Sequence, residues 1–216
     1  MSQLEERPLT CVDCGAPFSA QIATSLNAVR SPAAREAVLA GRLHHVDCPR
    51  CGSPHRVETT FGYMDVQRGH WLAVFPPEEL PEWAAHEVVS HEAFWQVSDR
   101  APMLWNFRAT EMTLRCVFGL ADLREKLLIW DSGLDDAIVE LWKLELEATE
   151  PALATDVLRF AGREGGEIVF AVGLDGQAIA APWGRYTILR AQNRQLRAQH
   201  PVLFKGPFVD RRRLRA

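Results

Sequence analysis

Two short segments, CVDCG at residues 11–15 and CPRCG at residues 48–52, restrict what this chain can fold into more than anything else in it. Cysteines two residues apart can share one tetrahedral ion, because the tight turn between them aims backbone amides at the sulfurs. The glycine that follows tolerates a positive φ and lets the chain leave the turn. Two such knuckles supply four thiolates, Cys11, Cys14, Cys48 and Cys51. Four thiolates fill the coordination sphere of Zn²⁺ at about 2.3 Å per bond. A redox C-x-x-C opens a helix in a βαβ setting, whereas each pair here is followed by glycine and a turn. One structural zinc per chain is therefore expected.

Iron is the rival, since both knuckles also resemble those of rubredoxins. The aromatic and acidic residues that follow a rubredoxin's first knuckle are missing here, where the chain reads CGAPFSAQ, and the insert between the knuckles has a helical centre. Zinc is favoured. The stretch HHVDCPRCGSPH also holds His44, His45 and His55. An open catalytic zinc uses three protein ligands and a water, with histidine or carboxylate prominent. With four thiolates at hand the histidines are not needed, and they read as strand residues flanking the second knuckle. The fifth cysteine, Cys116, sits in the apolar run LRCVFGL and reads as a buried, inert thiol.

Five cysteines, an odd number, argue against a disulfide framework and for a reducing compartment. The start MSQLEERPLT lacks the basic segment and apolar run of a signal peptide. No apolar stretch approaches the roughly 20 residues that span a bilayer. A cytoplasmic chain without membrane association is expected. No P-loop, dinucleotide fingerprint or nucleophile elbow appears. HEVVSHE resembles a zinc-protease motif, but His86 and His91 are five positions apart, which turns them off a common helical face. They read as exposed helix histidines.

The fold expected is α+β, in three parts. Residues 1–80 form a zinc-ribbon-like antiparallel sheet with an inserted helix. FSAQIATSLNA has strand character, SPAAREAVLAG a helix with Ser31 as N-cap and Gly41 at its end, and a hairpin follows with its turn near Arg68-Gly69. Residues 81–150 form a helical segment. Leu120, Leu123, Leu127 and Trp130 make one apolar stripe; Leu134, Ile138, Leu141 and Trp142 make another, on a helix started by Ser132. Asp136, Glu140 and Glu147 on that helix read as a solvated face. Residues 151–216 form antiparallel β hairpins with turns at Gly165-Gly166 and Asp175-Gly176, then a basic helix and an arginine-rich tail.

The segments SPAAREAVLAGRLHHVDCPRCG and LREKLLIWDSGLDDAIVELWKLEL resemble the CpXC family, whose members carry two C-P-x-C knuckles with strands and a helix between and a helical pair downstream. The likeness spans roughly residues 8–148. Val12 stands where the family usually has proline. The resemblance implies that Cys11, Cys14, Cys48 and Cys51 are the metal ligands, and it implies no activity.

Charge is uneven. Residues 183–216 carry nine basic side chains and one acid, for +8, leaving −12 on the remainder of a chain whose net charge is −4. Such an end meets something anionic. The function expected is non-enzymatic: a zinc-stiffened domain that presents a surface to a protein partner, with homo-oligomers compatible and no membrane. The alternative is nucleic-acid binding through Arg185, Arg190, Arg194, Arg197, Arg211, Arg212, Arg213 and Arg215. A further expectation docks the tail on the acidic helix with Asp131, Asp135, Asp136, Glu140, Glu145, Glu147 and Glu150, of its own chain or of a neighbouring copy.

Overall fold

Strand β1 (Gln3–Thr10) runs into the first knuckle and returns as β2 (Pro17–Asn27), so the cysteine turn is the tip of a hairpin whose last rung pairs Thr10 with Pro17. Helix α1 (Pro32–Leu39) follows. Strands β3 (His45–Asp47) and β4 (Pro54–Arg56) then make a second, shorter hairpin with the second knuckle at its tip. Each cysteine turn is thus held at both ends by a strand ladder.

The computed structural model describes residues 2–100, 111–153, 158–173 and 177–214, with the side chains of 97–100 left aside. It divides into two units, Met1–Leu123 and Arg124–Ala216. In the first, β5 (Phe61–Asp65), β6 (His70–Phe75) and β7 (Thr113–Phe118) complete a sheet of order β1-β2-β5-β6-β7. A 3-10 turn (Pro77–Glu82) and α2 (Trp83–Arg100) lie between β6 and β7 in sequence. The core holds Ile22, Leu26, Phe61, Tyr63, Leu72, Val74, Val117 and Phe118. A large apolar side chain contributes about 1.5–3 kcal/mol when fully buried, so this sheet has stabilisation of its own besides any metal.

The α+β class and the inserted helix are as the sequence predicts, but the sheet is mixed rather than antiparallel throughout. β2 pairs β5 in parallel, and β6 pairs β7 in parallel. Parallel neighbours need a long crossover, and the connections through α1 with the second knuckle, and through α2, supply it. The buried run HWLAVF in β6 fits a strand covered on both faces. Two strands are not marked by the sequence pattern. β1 is an exposed edge whose charges and Pro8 mask the alternation, and β7 is a short apolar run that periodicity cannot assign.

The turn between β5 and β6 is where it was expected, with Gly69 at φ +69°. The buried Asp65 carboxylate pins it by accepting from the Arg68 amide at 3.2 Å and from its Nη1 at 2.9 Å. Ser31 precedes α1, yet its hydroxyl pairs with Ser2 Oγ at 2.8 Å instead of capping the helix.

Helix α3 (Leu120–Asp131) contains the boundary between the units. In the second unit α4 (Asp136–Thr149) is capped by Asp135, which accepts from Ala137 N at 2.9 Å, while Ser132 bonds back to Leu128 O. Strands β8 (Arg159–Glu164), β9 (Glu167–Val172) and β10 (Gln177–Pro182) form an antiparallel sheet of order β10-β9-β8. Gly165 and Gly166 both take positive φ, as a two-residue hairpin turn requires. The predicted Asp175-Gly176 turn lies outside the described residues. The basic helix is two, α5 (Trp183–Ala191) and α6 (Asn193–Gln199). Ile138, Leu141, Trp142, Phe160, Phe170, Tyr186 and Leu203 are buried together, with the Trp142 ring edge-on to Phe170 at 5.4 Å.

Candidate metal centre

The two knuckles repeat one backbone pattern. Cys11 N donates to Ala16 O at 3.0 Å and Gly15 N to Cys11 O at 2.9 Å; Cys48 N donates to Ser53 O at 2.9 Å and Gly52 N to Cys48 O at 2.8 Å. Gly15 and Gly52 sit at φ +69° and +73°, with nothing within 4 Å of where a Cβ would point. The glycines are needed for their backbone conformation and not for space. The Ser53 hydroxyl donates to Asp13 Oδ2 and ties one turn to the other.

These turns bring the four sulfurs of Cys11, Cys14, Cys48 and Cys51 within 4.8 Å of one another. Cys11 Sγ lies 3.6 Å from Cys51 Sγ, and Cys14 Sγ lies 3.7 Å from Cys48 Sγ. Sulfurs at the corners of a tetrahedron, about 2.3 Å from a central ion, stand about 3.8 Å apart. The cluster therefore has the size that a four-coordinate metal ion needs. Residues 9–143, more than half the chain, match the family model described as CpXC protein.

The chain belongs to the CpXC family. No curated protein and no solved structure gives a significant match.

The electrostatics of the CpXC cysteines favour a cation. Backbone amides of Cys51 and Arg50 pull the Cys48 thiol down to about 7. The Ser53 amide pulls Cys51 down as well, but its three sulfur neighbours and burial outweigh it and hold the thiol at about 12. The Cys14 thiol also stands high, the Ala16 amide being outweighed by burial and by Cys11 and Cys48. Four sulfurs this close cannot all ionise by themselves, whereas a dication at the centre lets them. Cys116 is apart from the cluster on β7, and burial pushes its thiol up to about 12, in keeping with an inert core residue.

None of the three nearby histidines belongs to the cluster. His45 starts β3 and is exposed. His44 lies before the strand at φ +57°, buried, with Nε2 accepting from Ala23 N at 3.0 Å. His55 lies on β4 with Nε2 3.3 Å from Cys11 Sγ, a contact the linear sequence does not announce. His86, read as exposed, instead packs on Phe75 and Phe118 with ring centroids at 4.1 Å and 5.6 Å.

The basic end is largely spent inside its own unit. Arg185 Nε donates to Glu145 Oε2 at 2.9 Å, and Arg212 Nε to Asp210 Oδ1 at 2.8 Å. Arg213 Nη1 donates to Phe208 O at 3.1 Å, and Arg197 stacks over Phe204 at 4.4 Å. Arg190 and Arg194 stand exposed on α5 and α6, and Arg215 lies outside the described residues.

The solvated-face reading of α4 is overturned, because Asp136, Glu140 and Glu147 are all buried. Arg211 faces Glu140 and Glu147; Lys126 Nζ is 3.2 Å from Asp136; and Lys143 Nζ is 2.9 Å from Glu140 and 2.5 Å from Glu125. The carboxylates are buried because their cations are buried beside them. The docking of the tail on its acidic helix is found at Arg211.

Proposed function

We propose that this CpXC protein is a non-enzymatic zinc protein, in which Cys11, Cys14, Cys48 and Cys51 hold one structural Zn²⁺ and the metal stiffens a surface that a protein partner recognises. The observation that carries this reading is the gathering of four thiols within 4.8 Å of one another at the tips of two hairpins. Four thiolates close the coordination sphere and leave no position for a reacting water, which is the pattern of a structural site. The metal also replaces a core that the tips do not have, since Ala16 and Phe18 are the apolar neighbours of the sulfurs. At the first tip Val12 is 85% exposed, the most exposed large apolar side chain among the described residues. An apolar residue held out on a rigid turn suits a recognition surface.

Elemental analysis of purified protein should give one zinc per chain, and partner capture by the intact protein should be lost in Val12→Asp while zinc content stays. Iron in place of zinc, or a metal-free protein with intact knuckles, would refute the metal part. Capture unaffected by Val12→Asp would refute the surface.

Nucleic-acid binding is the second reading, favoured by the exposed Arg190 and Arg194 and disfavoured by the ion pairs that hold Arg185, Arg211 and Arg212. It predicts binding to mixed DNA or RNA that weakens steeply with salt.

A further inference from the structure

The imidazole of His55 makes a contact that the four-thiol reading leaves without a role. Its Nε2 lies 3.3 Å from Cys11 Sγ. A thiolate carries no proton, so in the metal-bound state the nitrogen must be the donor. The contact joins the two hairpins, because His55 sits on β4 beside the second knuckle while Cys11 opens the first. The ring is held in place by Phe18 at 5.6 Å, and Phe18 in turn packs on the cluster of Cys11, Ala16 and Cys48. Cys14, Cys48 and Cys51 take amide donors from their own turns, from Ala16, from Arg50 and Cys51, and from Ser53 respectively. Cys11 takes a side chain from the opposite hairpin.

We propose that His55 is a positioning residue for the metal centre: its Nε2–H donates to the Cys11 thiolate, holds that ligand on the ion and slows release of the metal. The inference rests on the four-thiolate reading above. A dication with four thiolates carries a net charge of −2, concentrated on sulfur. A donor to one sulfur offsets part of that charge, and orienting partners outside the ligand shell typically change metal affinity 10- to 100-fold. It also lowers the energy of the sulfur lone pair, which is visible when Co²⁺ replaces zinc, because the sulfur-to-cobalt charge-transfer bands then move to higher energy.

The test uses Co²⁺ as probe in the full chain, with His55→Phe to keep an aromatic ring on Phe18 but remove the N–H, and His55→Gln to restore an N–H at similar reach. In His55→Phe the charge-transfer bands should shift to lower energy, and transfer of metal to a chelator should accelerate roughly 10- to 100-fold. In His55→Gln both should return toward the parent, which a purely steric role would not produce. Should His55→Phe not fold, bands in His55→Gln that match the parent sustain the inference, and bands at lower energy overturn it. Parent-like bands and release rates in His55→Phe overturn it while leaving the four-thiolate reading intact. A parent protein that binds Co²⁺ with three sulfurs and one nitrogen, or not at all, overturns both.

Discussion

Arg211 Nε donates to the Glu147 carboxylate at 2.6 Å, across a sequence separation of 64 residues, with both side chains almost wholly out of solvent. The Arg211 amide also donates to Glu140 Oε2 at 3.2 Å, and Lys126 Nζ donates to the neighbouring Val209 O. The C-terminal segment is therefore tied down by side chain and backbone together.

Removing one partner of a buried pair leaves an uncompensated charge, at a cost of about 3–5 kcal/mol. Arg211→Ala should lower the stability of the second unit by that amount in urea titrations, against about 0.5 kcal/mol or less for the exposed Arg194→Ala. Salt screens buried pairs weakly, so the deficit should persist in 1 M NaCl. A loss that vanishes at high salt would mean that the contact forms at the surface.

The same network sets how stability follows pH. Burial raises the Asp210 carboxyl, but Arg212, with Lys143 and Lys126 behind it, outweighs burial and holds it well below the carboxylate range. Its contribution is present above the unfolded value of about 3.9 and is lost as pH falls toward the folded one. Burial pulls the Lys126 ammonium down, but Asp136 and Glu140 outweigh it and raise it. That contribution is present below about pH 10.4 and is lost as pH rises through the folded value. Glu125 runs against Asp210, because burial raises its carboxyl despite Lys143. Urea midpoints of the parent should hold a plateau at neutral pH and fall on both sides, and Asp210→Asn should flatten the acid limb.

What could be read from sequence depended on range. The ligand set was legible because each knuckle is complete within five residues and its spacing is set by the chemistry of one ion. The caps and turns at Gly41, Gly69 and Gly165-Gly166 were legible for the same local reason. The parallel pairings were not, since hairpins are visible in a linear pattern and crossovers are not. Nor was the burial of Glu147, because the cation beside it, Arg211, comes from the far end of the chain, nor that of Glu140, which Arg211 shares with Lys143 and Lys126. His55 was missed for a related reason: its partner sulfur lies 44 positions away, and only the meeting of two hairpin tips brings them together.

The sheet of the first unit has a core of its own, so loss of the metal should be felt locally. Cys48→Ser removes one of the thiolates that make up the small cluster at the tips. It should abolish zinc binding and strip hydrogen-exchange protection from residues 10–18 and 44–57, while β5, β6 and β7 keep theirs. Chelation of the parent should give the same map. Loss of protection across the whole sheet would show instead that the fold of the entire unit depends on the metal.

His44 offers the clearest separation of packing from ligation. Its Nε2 accepts a hydrogen bond from the Ala23 amide, so the neutral ring with its proton on Nδ1 is the form that fits. Burial pulls its pKa below the usual value of 6.5. The unfolded chain therefore takes up a proton first, and the stability this residue contributes is intact above about pH 6.5 and lost as pH falls toward the folded pKa. His44→Ala leaves the Ala23 amide without its acceptor, at a cost of about 1–3 kcal/mol. The variant should bind one zinc per chain as the parent does, be less stable at pH 7.5, and show a shallower fall between pH 7 and 5. His45→Ala, on an exposed side chain, should change neither quantity. Loss of zinc in His44→Ala would place this histidine among the ligands.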